Sequence, residues 1–130
     1  MYTFEDLEIW KTSRRLRNDI REMTSAFPKE ERYSLTDQIL RSSRSVNANI
    51  AEGFGRFNHQ ENIQFCRIAR GSLFETLDHL ICANDCRYIS DEQLAVLKID
   101  CEHCLKLING YIAYLKKAKA NQQPNNSITQ

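Results

Sequence analysis

Apolar residues recur every three or four positions along most of this chain, and start and stop signals divide the pattern into four stretches. The first opens at Thr3, whose hydroxyl can cap a helix while Asp6, three residues on, reaches back in a capping box. Leu7, Trp10, Leu16, Ile20 and Met23 follow at roughly helical spacing, and Phe27-Pro28 ends the run, since the residue before proline avoids the α region. The second stretch starts within Lys29 to Ser34 and carries Leu35, Ile39, Val46 and Ile50 on one stripe, with Gly53 and Gly55 as stopping points. The third takes Asn58 as its cap with Glu61 three residues later, and its inward face runs through Phe65, Ala69, Leu73, Leu77, Leu80 and Ala83. In the fourth, Ser90 caps and Gln93 completes a capping-box pattern. There Leu94, Leu97, Cys101, Cys104, Ile108, Tyr111 and Leu115 alternate steps of three and four, the seam of left-handed, near-antiparallel helix packing.

Short connections make sequential helices antiparallel neighbours, so the pattern predicts an all-α fold, an up-down-up-down four-helix bundle. At ~1.5 Å rise per residue the bundle is about 30 to 40 Å long. The bundle domain is expected over 1–119, and the polar, aperiodic residues 120–130 are expected to be a disordered tail. Composition agrees: 130 residues suit one core, and only 4 Gly and 2 Pro leave too few breakers for a many-turned β-protein. The opening MYTFEDLEIW is acidic and lacks the basic and apolar regions of a signal peptide, and no run of apolar residues is long enough to span a membrane. Five cysteines, an odd number, then read as reduced thiols, and the expected compartment is cytoplasmic.

The segment Ser42 to Gly53 is unusual for a bundle helix, because small and polar residues stand where Leu is normal. Gly71 interrupts the third stretch at a cost of about 1 kcal/mol against Ala. Both concessions fit close helix approach, with Asn49, Glu52, Gly71 and Ser72 forming a polar layer between helices and Glu52 pairing with Arg56 or Arg70. The same residues would also suit a functional surface, lining the inner face of an oligomer or a ligand site.

Charge sharpens the second reading. With 18 Lys+Arg against 17 Asp+Glu the net charge is +1, so no global field draws the chain to nucleic acid. Locally the balance shifts. Lys11, Arg14, Arg15, Arg17 and Arg21 crowd the first helix, with Asp19 and Glu22 at pairing distance, so much of the row reads as a solvated, self-paired face. Lys116, Lys117 and Lys119 close the fourth helix, near the N-terminal end of the first. Arg41, Arg44, Arg56, Arg67 and Arg70 outnumber the two acids between Gln38 and Leu73 by three. Repeated around a ring, that excess becomes a concentrated field for RNA phosphates. No platform of interleaved aromatic and basic residues for single strands is evident.

Cys82, Cys86, Cys101 and Cys104 have zinc-like spacing, but a turn near Ile89 leaves the second pair about 6 Å or more along the axis from the first. They read as core thiols, with His79, Cys101 and Cys104 as a residual metal grouping. His59, His79 and His103 have no nucleophile and orienting group in view. Gly53-Phe54-Gly55 is not a phosphate loop, and the paired Glu-x-x-His motif of ferritin-like bundles is absent. The expectation is no enzyme, no metal and no cofactor.

Several of these stretches together resemble one family. They are Phe4-Glu5-Asp6-Leu7-Glu8-Ile9-Trp10; Phe27-Pro28 with Glu31; Leu35 with Gln38 and Arg41; Ser45-Val46; Asn49-Ile50-Ala51-Glu52-Gly53; and Ile68-Ala69-Arg70-Gly71-Ser72-Leu73 with Glu75. The chain resembles the bacterial four-helix-bundle proteins encoded by intervening sequences in 23S ribosomal RNA genes, a family that includes the accessory variability determinant of diversity-generating retroelements. The resemblance implies a closed homopentamer of bundles in a bacterial cytoplasm, without enzymatic activity. In the retroelement branch it implies binding to a reverse transcriptase and to nucleic acid through a basic surface. The function expected is therefore a non-catalytic homo-oligomeric scaffold that engages RNA or an RNA-handling protein such as a reverse transcriptase. The candidate contacts are Arg14, Arg15, Arg17, Arg21, Arg41, Arg44, Arg56, Arg67 and Arg70. The alternatives are a metal-binding or catalytic bundle using Cys, His and Glu of the last two helices, and a structural assembly with no nucleic-acid partner.

Overall fold

In the computed structural model the backbone is described for residues 1–129 and side chains for residues 1–122. Four α-helices carry the fold: α1 (Glu8–Thr24), α2 (Leu35–Gly55), α3 (His59–Asp85) and α4 (Asp91–Thr129). No strand occurs among the described residues. The disordered tail expected at 120–130 lies, from position 123 on, outside the residues whose side chains are described.

The start of the chain departs from the expected single helix. The capping box of Thr3 and Asp6 forms, but it closes one three-ten turn, Phe4–Asp6. Leu7 is then extended at φ −71° and ψ 128°, and α1 begins afresh at Glu8. Along α1 the buried face is Ile9, Thr12, Ser13, Leu16, Ile20 and Thr24. Trp10, expected in that face, is half-buried: at about 100° per residue Ile9 points inward and its successor is turned to the flank.

A second three-ten turn, Lys29–Glu31, precedes α2, which starts at Leu35, just beyond the expected window. Glu31 reaches forward there, its Oε1 accepting from the Ser34 hydroxyl at 2.6 Å. The expected stop at Gly53 is wrong: α2 runs through it and ends at Gly55. A Cβ at Gly53 would stand 2.7 Å from Asn62 Oδ1 and 2.8 Å from the Phe65 Cβ, so this glycine lets α2 and α3 touch. The close approach expected at Gly71 is not there. Gly71 is exposed, and a Cβ on it would meet nothing within 4 Å.

Asn58 caps α3 by accepting from Glu61 N at 2.9 Å, and Ser90 and Gln93 make the reciprocal capping box of α4, at 3.1 and 2.8 Å. In α4, Leu97, Cys101, Cys104, Ile108 and Leu115 are buried as their spacing requires. Late in the helix the inward position passes from Tyr111 to Ile112, because 3.6 residues per turn drifts against a strict heptad.

Side-chain pairings fix the direction of every neighbour. Trp10 O accepts from Asn47 Nδ2 across α1 and α2 (3.1 Å), and Thr76 stands 2.8 Å from Ser42 across α2 and α3. Asn62 near the start of α3 meets Tyr111 late in α4 at 3.1 Å. The end of α1 (Asp19, Met23) borders the start of α4 (Glu92, Val96). Each helix therefore runs antiparallel to the next and α4 closes on α1, an up-down-up-down bundle whose centre is filled by Ile20, Ile39, Ile50, Leu80 and Ile108.

Candidate nucleic-acid interface

Steps of four, three and four residues put Trp10, Arg14, Arg17 and Arg21 on one stripe of α1. The self-pairing expected from Asp19 and Glu22 does not form: among the described residues no ion pair holds Arg14, Arg15, Arg17 or Arg21. Order along the helix supplies the reason. The pairs inside helices all have the acid first, Glu8–Lys11, Asp37–Arg41, Glu52–Arg56 and Glu75–His79, the orientation that helical geometry favours. On α1, Arg14, Arg15 and Arg17 come before Asp19, and Arg21 stands two residues after it, a spacing at which helical side chains do not face each other. Arg14 instead lies over the Trp10 ring at 5.5 Å, and Arg15 donates to Thr12 Oγ1 at 3.2 Å.

The other five arginines divide. Arg41 pairs with Asp37 at 3.7 Å; Arg56 pairs with Glu52 at 3.7 Å and covers the Phe65 ring at 5.0 Å; Arg70 donates to Asn109 at 2.9 Å. Arg44 and Arg67 make no ion pair among the described residues. Arg44 lies one turn before Asn47, the residue that reaches Trp10, so antiparallel packing sets it level with the arginines of α1. Arg67 lies elsewhere, lining a groove between α3 and α4 with Gln60, Lys116 and Lys119. Two basic tracts result, while Arg41, Arg56 and Arg70 each have a partner of their own.

The polar layer is real but differently built. Ser72 Oγ donates to Ser45 Oγ at 2.9 Å, and Thr76 and Ser42 form the next hydroxyl pair. Asn49 bonds within its own helix, to Ser45 O at 2.8 Å and Ser45 Oγ at 2.9 Å. Glu52 is exposed and takes Arg56, not Arg70. The asparagine that crosses between helices is Asn47, buried at 2% exposure. Its inward position two residues before Asn49 follows from the Val46–Ile50 stripe.

Cys66, Cys101 and Cys104 are buried; Cys82 and Cys86 are exposed. Burial pushes the Cys101 thiol up to about 12 and those of Cys66 and Cys104 to about 11, so these three are poor nucleophiles at neutral pH. His79 hydrogen-bonds Glu75 at 3.1 Å on its own helix, and His59 meets Gln122 at 3.1 Å. Among the described residues no three His, Cys, Asp or Glu side chains stand close enough to share a metal ion.

At the end of the bundle where α1 starts and α2 turns into α3, the structure brings together aromatic residues that the sequence reading did not connect. Tyr2, Phe54, Phe57, Tyr111 and Tyr114 line a cleft of about 500 Å³. Tyr2 packs on Phe54 (5.9 Å between ring centres), Phe54 on Phe57 (6.3 Å), and Tyr111 lies parallel to Tyr114 (6.2 Å). Phe57 sits in the left-handed region at φ 53° and is 89% exposed. The Tyr111 hydroxyl accepts from Asn62, so its own proton points elsewhere, and burial pushes its pKa up. These residues come from positions 2, 54, 57, 111 and 114, too far apart for any local pattern to reveal.

The family model described as 23S rRNA-intervening sequence protein matches residues 5–110. No curated protein matches the chain. Among solved structures, a protein with unknown function from the S23 ribosomal protein family of Bacteroides thetaiotaomicron superposes with a TM-score of 0.74 at 25% identity. The superposition covers 81% of this chain and 95% of that one. Among the described residues no helix is long and apolar enough to cross a membrane.

Proposed function

As the chain belongs to the 23S rRNA-intervening sequence protein family, we propose that it is a non-catalytic, cytoplasmic, homo-oligomeric scaffold that binds RNA. One observation carries the reading: the arginines of α1 lie in a stripe that, among the described residues, no ion pair holds, with Arg44 level with them on α2. Cations spaced along a rod match a row of phosphates, and this fits RNA better than a reverse transcriptase as the partner. Assembly would multiply the local basic excess even though the net charge of one chain is only +1.

Self-association is supported by apolar side chains on the outer faces of α3 and α4. Phe74 is 53% exposed, Val96 59% and Ile99 65%, and Leu77 and Leu105 line a shallow groove beside Phe74. Five copies, as the resemblance implies, is the number proposed. The absence of catalysis is supported by the burial of Cys66, Cys101 and Cys104, which raises their thiols and makes them poor nucleophiles.

Filter retention of labelled RNA across a salt series tests the reading, with light scattering on the same sample. Retention should fall as salt rises, by about 0.7 to 0.9 log units of affinity per log unit of salt for each phosphate contact. The variant Arg14→Ala/Arg17→Ala/Arg21→Ala should flatten that slope by two to three contacts' worth and leave helicity intact. Retention indifferent to salt, or a monomer by light scattering, overturns it.

A further inference from the structure

The aromatic cleft has no part in the arginine stripe, and its composition is that of a ligand site. Although these rings also touch one another, Tyr2, Phe57 and Tyr114 stay more than 60% exposed, and Tyr and Phe rings are the surfaces on which unstacked nucleobases pack. Phe57 is the sharpest case. A left-handed backbone costs a non-glycine residue energy, and the strain here delivers the ring to solvent instead of to the core. The rim offers polar groups for a base edge: the Tyr111 hydroxyl, free to donate after accepting from Asn62, and Nε2 of His59, whose Nδ1 meets Gln122. Beside the cleft runs the groove of Arg67, Lys116 and Lys119, where Lys119 hydrogen-bonds Gln60. The two sites are neighbours, since His59 and Gln122 line the cleft while Gln60 and Lys119 line the groove.

We propose that this cleft takes one unpaired base of a single-stranded RNA, stacked on Phe57 and Tyr114, with the adjoining phosphates on Arg67, Lys116 and Lys119. The inference rests on the RNA-binding reading and adds to it a preference: duplex RNA, whose bases are already stacked, binds the arginine stripe alone.

The test compares an unstructured 12-nucleotide single strand with a duplex of the same sequence by fluorescence anisotropy, for the wild type, Phe57→Gly and Tyr114→Ala. Adenosine monophosphate is titrated separately and followed by NMR of the tyrosine rings. Each variant should weaken the single strand by about 5- to 150-fold and leave the duplex unchanged. Adenosine monophosphate should shift the Tyr111 and Tyr114 resonances saturably, and Phe57→Gly should abolish the shift. Unchanged single-strand affinity in both variants overturns the cleft while leaving the stripe standing. If the wild type retains no RNA of either kind, the RNA reading falls and the cleft is judged on adenosine monophosphate alone, where the absence of a shift overturns it. A change of oligomer size in Phe57→Gly makes the cleft a contact between copies and overturns it as well.

Discussion

The two ends of the bundle use the same materials to opposite effect. At each, a helix hands over to the next through one non-glycine residue with positive φ, Phe57 at 53° and Arg87 at 65°, and each has a nearby tyrosine. At the Arg87 end the turn is closed. Tyr88 N bonds back to Ala83 O at 2.9 Å, the Tyr88 ring packs on Phe27 at 5.5 Å, and its hydroxyl donates to Glu31 at 2.8 Å. Asn84 completes the knot by donating to Ile89 O at 3.2 Å and to Asp91 at 2.9 Å. At the Phe57 end the return bond to Phe54 O is longer, 3.4 Å, and three of the five cleft aromatics are more than 60% exposed. One end spends its strain on stability. The other keeps its rings available.

The comparison breaks most visibly if Phe27 and Phe57 prove equivalent. Phe27→Ala should lower stability by about 3–5 kcal/mol in urea with an unchanged m value. Phe57→Ala should stay within about 0.5 kcal/mol of the wild type.

Beneath the open end, Gly53→Ala should cost about 1–3 kcal/mol by overpacking against Asn62 and Phe65. Gly71→Ala, which meets nothing, should gain up to about 1 kcal/mol from helix propensity, read in the same urea titration. Equal effects at the two glycines would mean that α2 and α3 do not touch at Gly53.

Smaller still, Phe57→Gly should raise stability by about 0.5–1 kcal/mol as the left-handed strain is relieved. Arg87→Gly should gain less, because it also gives up the exposed pair with Asp91. Thermal midpoints of the two variants, measured side by side, give the difference.

The smallest effect is one of pH. Hydrogen bonds from Ser34 and then Tyr88 hold the Glu31 carboxyl below its ordinary value of 4.5. A depressed folded pKa stabilises the fold above that ordinary value, and the contribution is lost as pH falls through the folded one. Tyr88→Phe should therefore be destabilising at pH 7 and converge on the wild type in acid. A gap that persists in strong acid would show that Glu31 is not the partner that matters.

What the residues disclosed in advance was whatever depends on near neighbours in the chain. The capping boxes at Thr3 and Ser90, the Asn58 cap and most of the α4 seam lie within a few turns and formed, although the Thr3 box closes a separate three-ten turn and the seam passes from Tyr111 to Ile112. Where sequence reading misjudged, the deciding partner came from another helix. Gly53 and Gly71 both interrupt helical patterns, and only the position of Asn62 and Phe65 tells a contact glycine from a surface one. The preference for Asn47 over Asn49 turned on Trp10, 37 positions away. The stripe on α1 is visible as a cluster of arginines, and its lack of ion pairs follows from the order of charges along the helix.

Trp10 is the only indole in the chain, and the guanidinium of Arg14 rests over it at 5.5 Å. A fluorophore is thus already installed on the basic face, and an anion that draws Arg14 away alters its emission with no dye attached. Titrations can be watched by ultraviolet excitation at 295 nm, where the five tyrosines stay dark, as a direct view of one face of one helix.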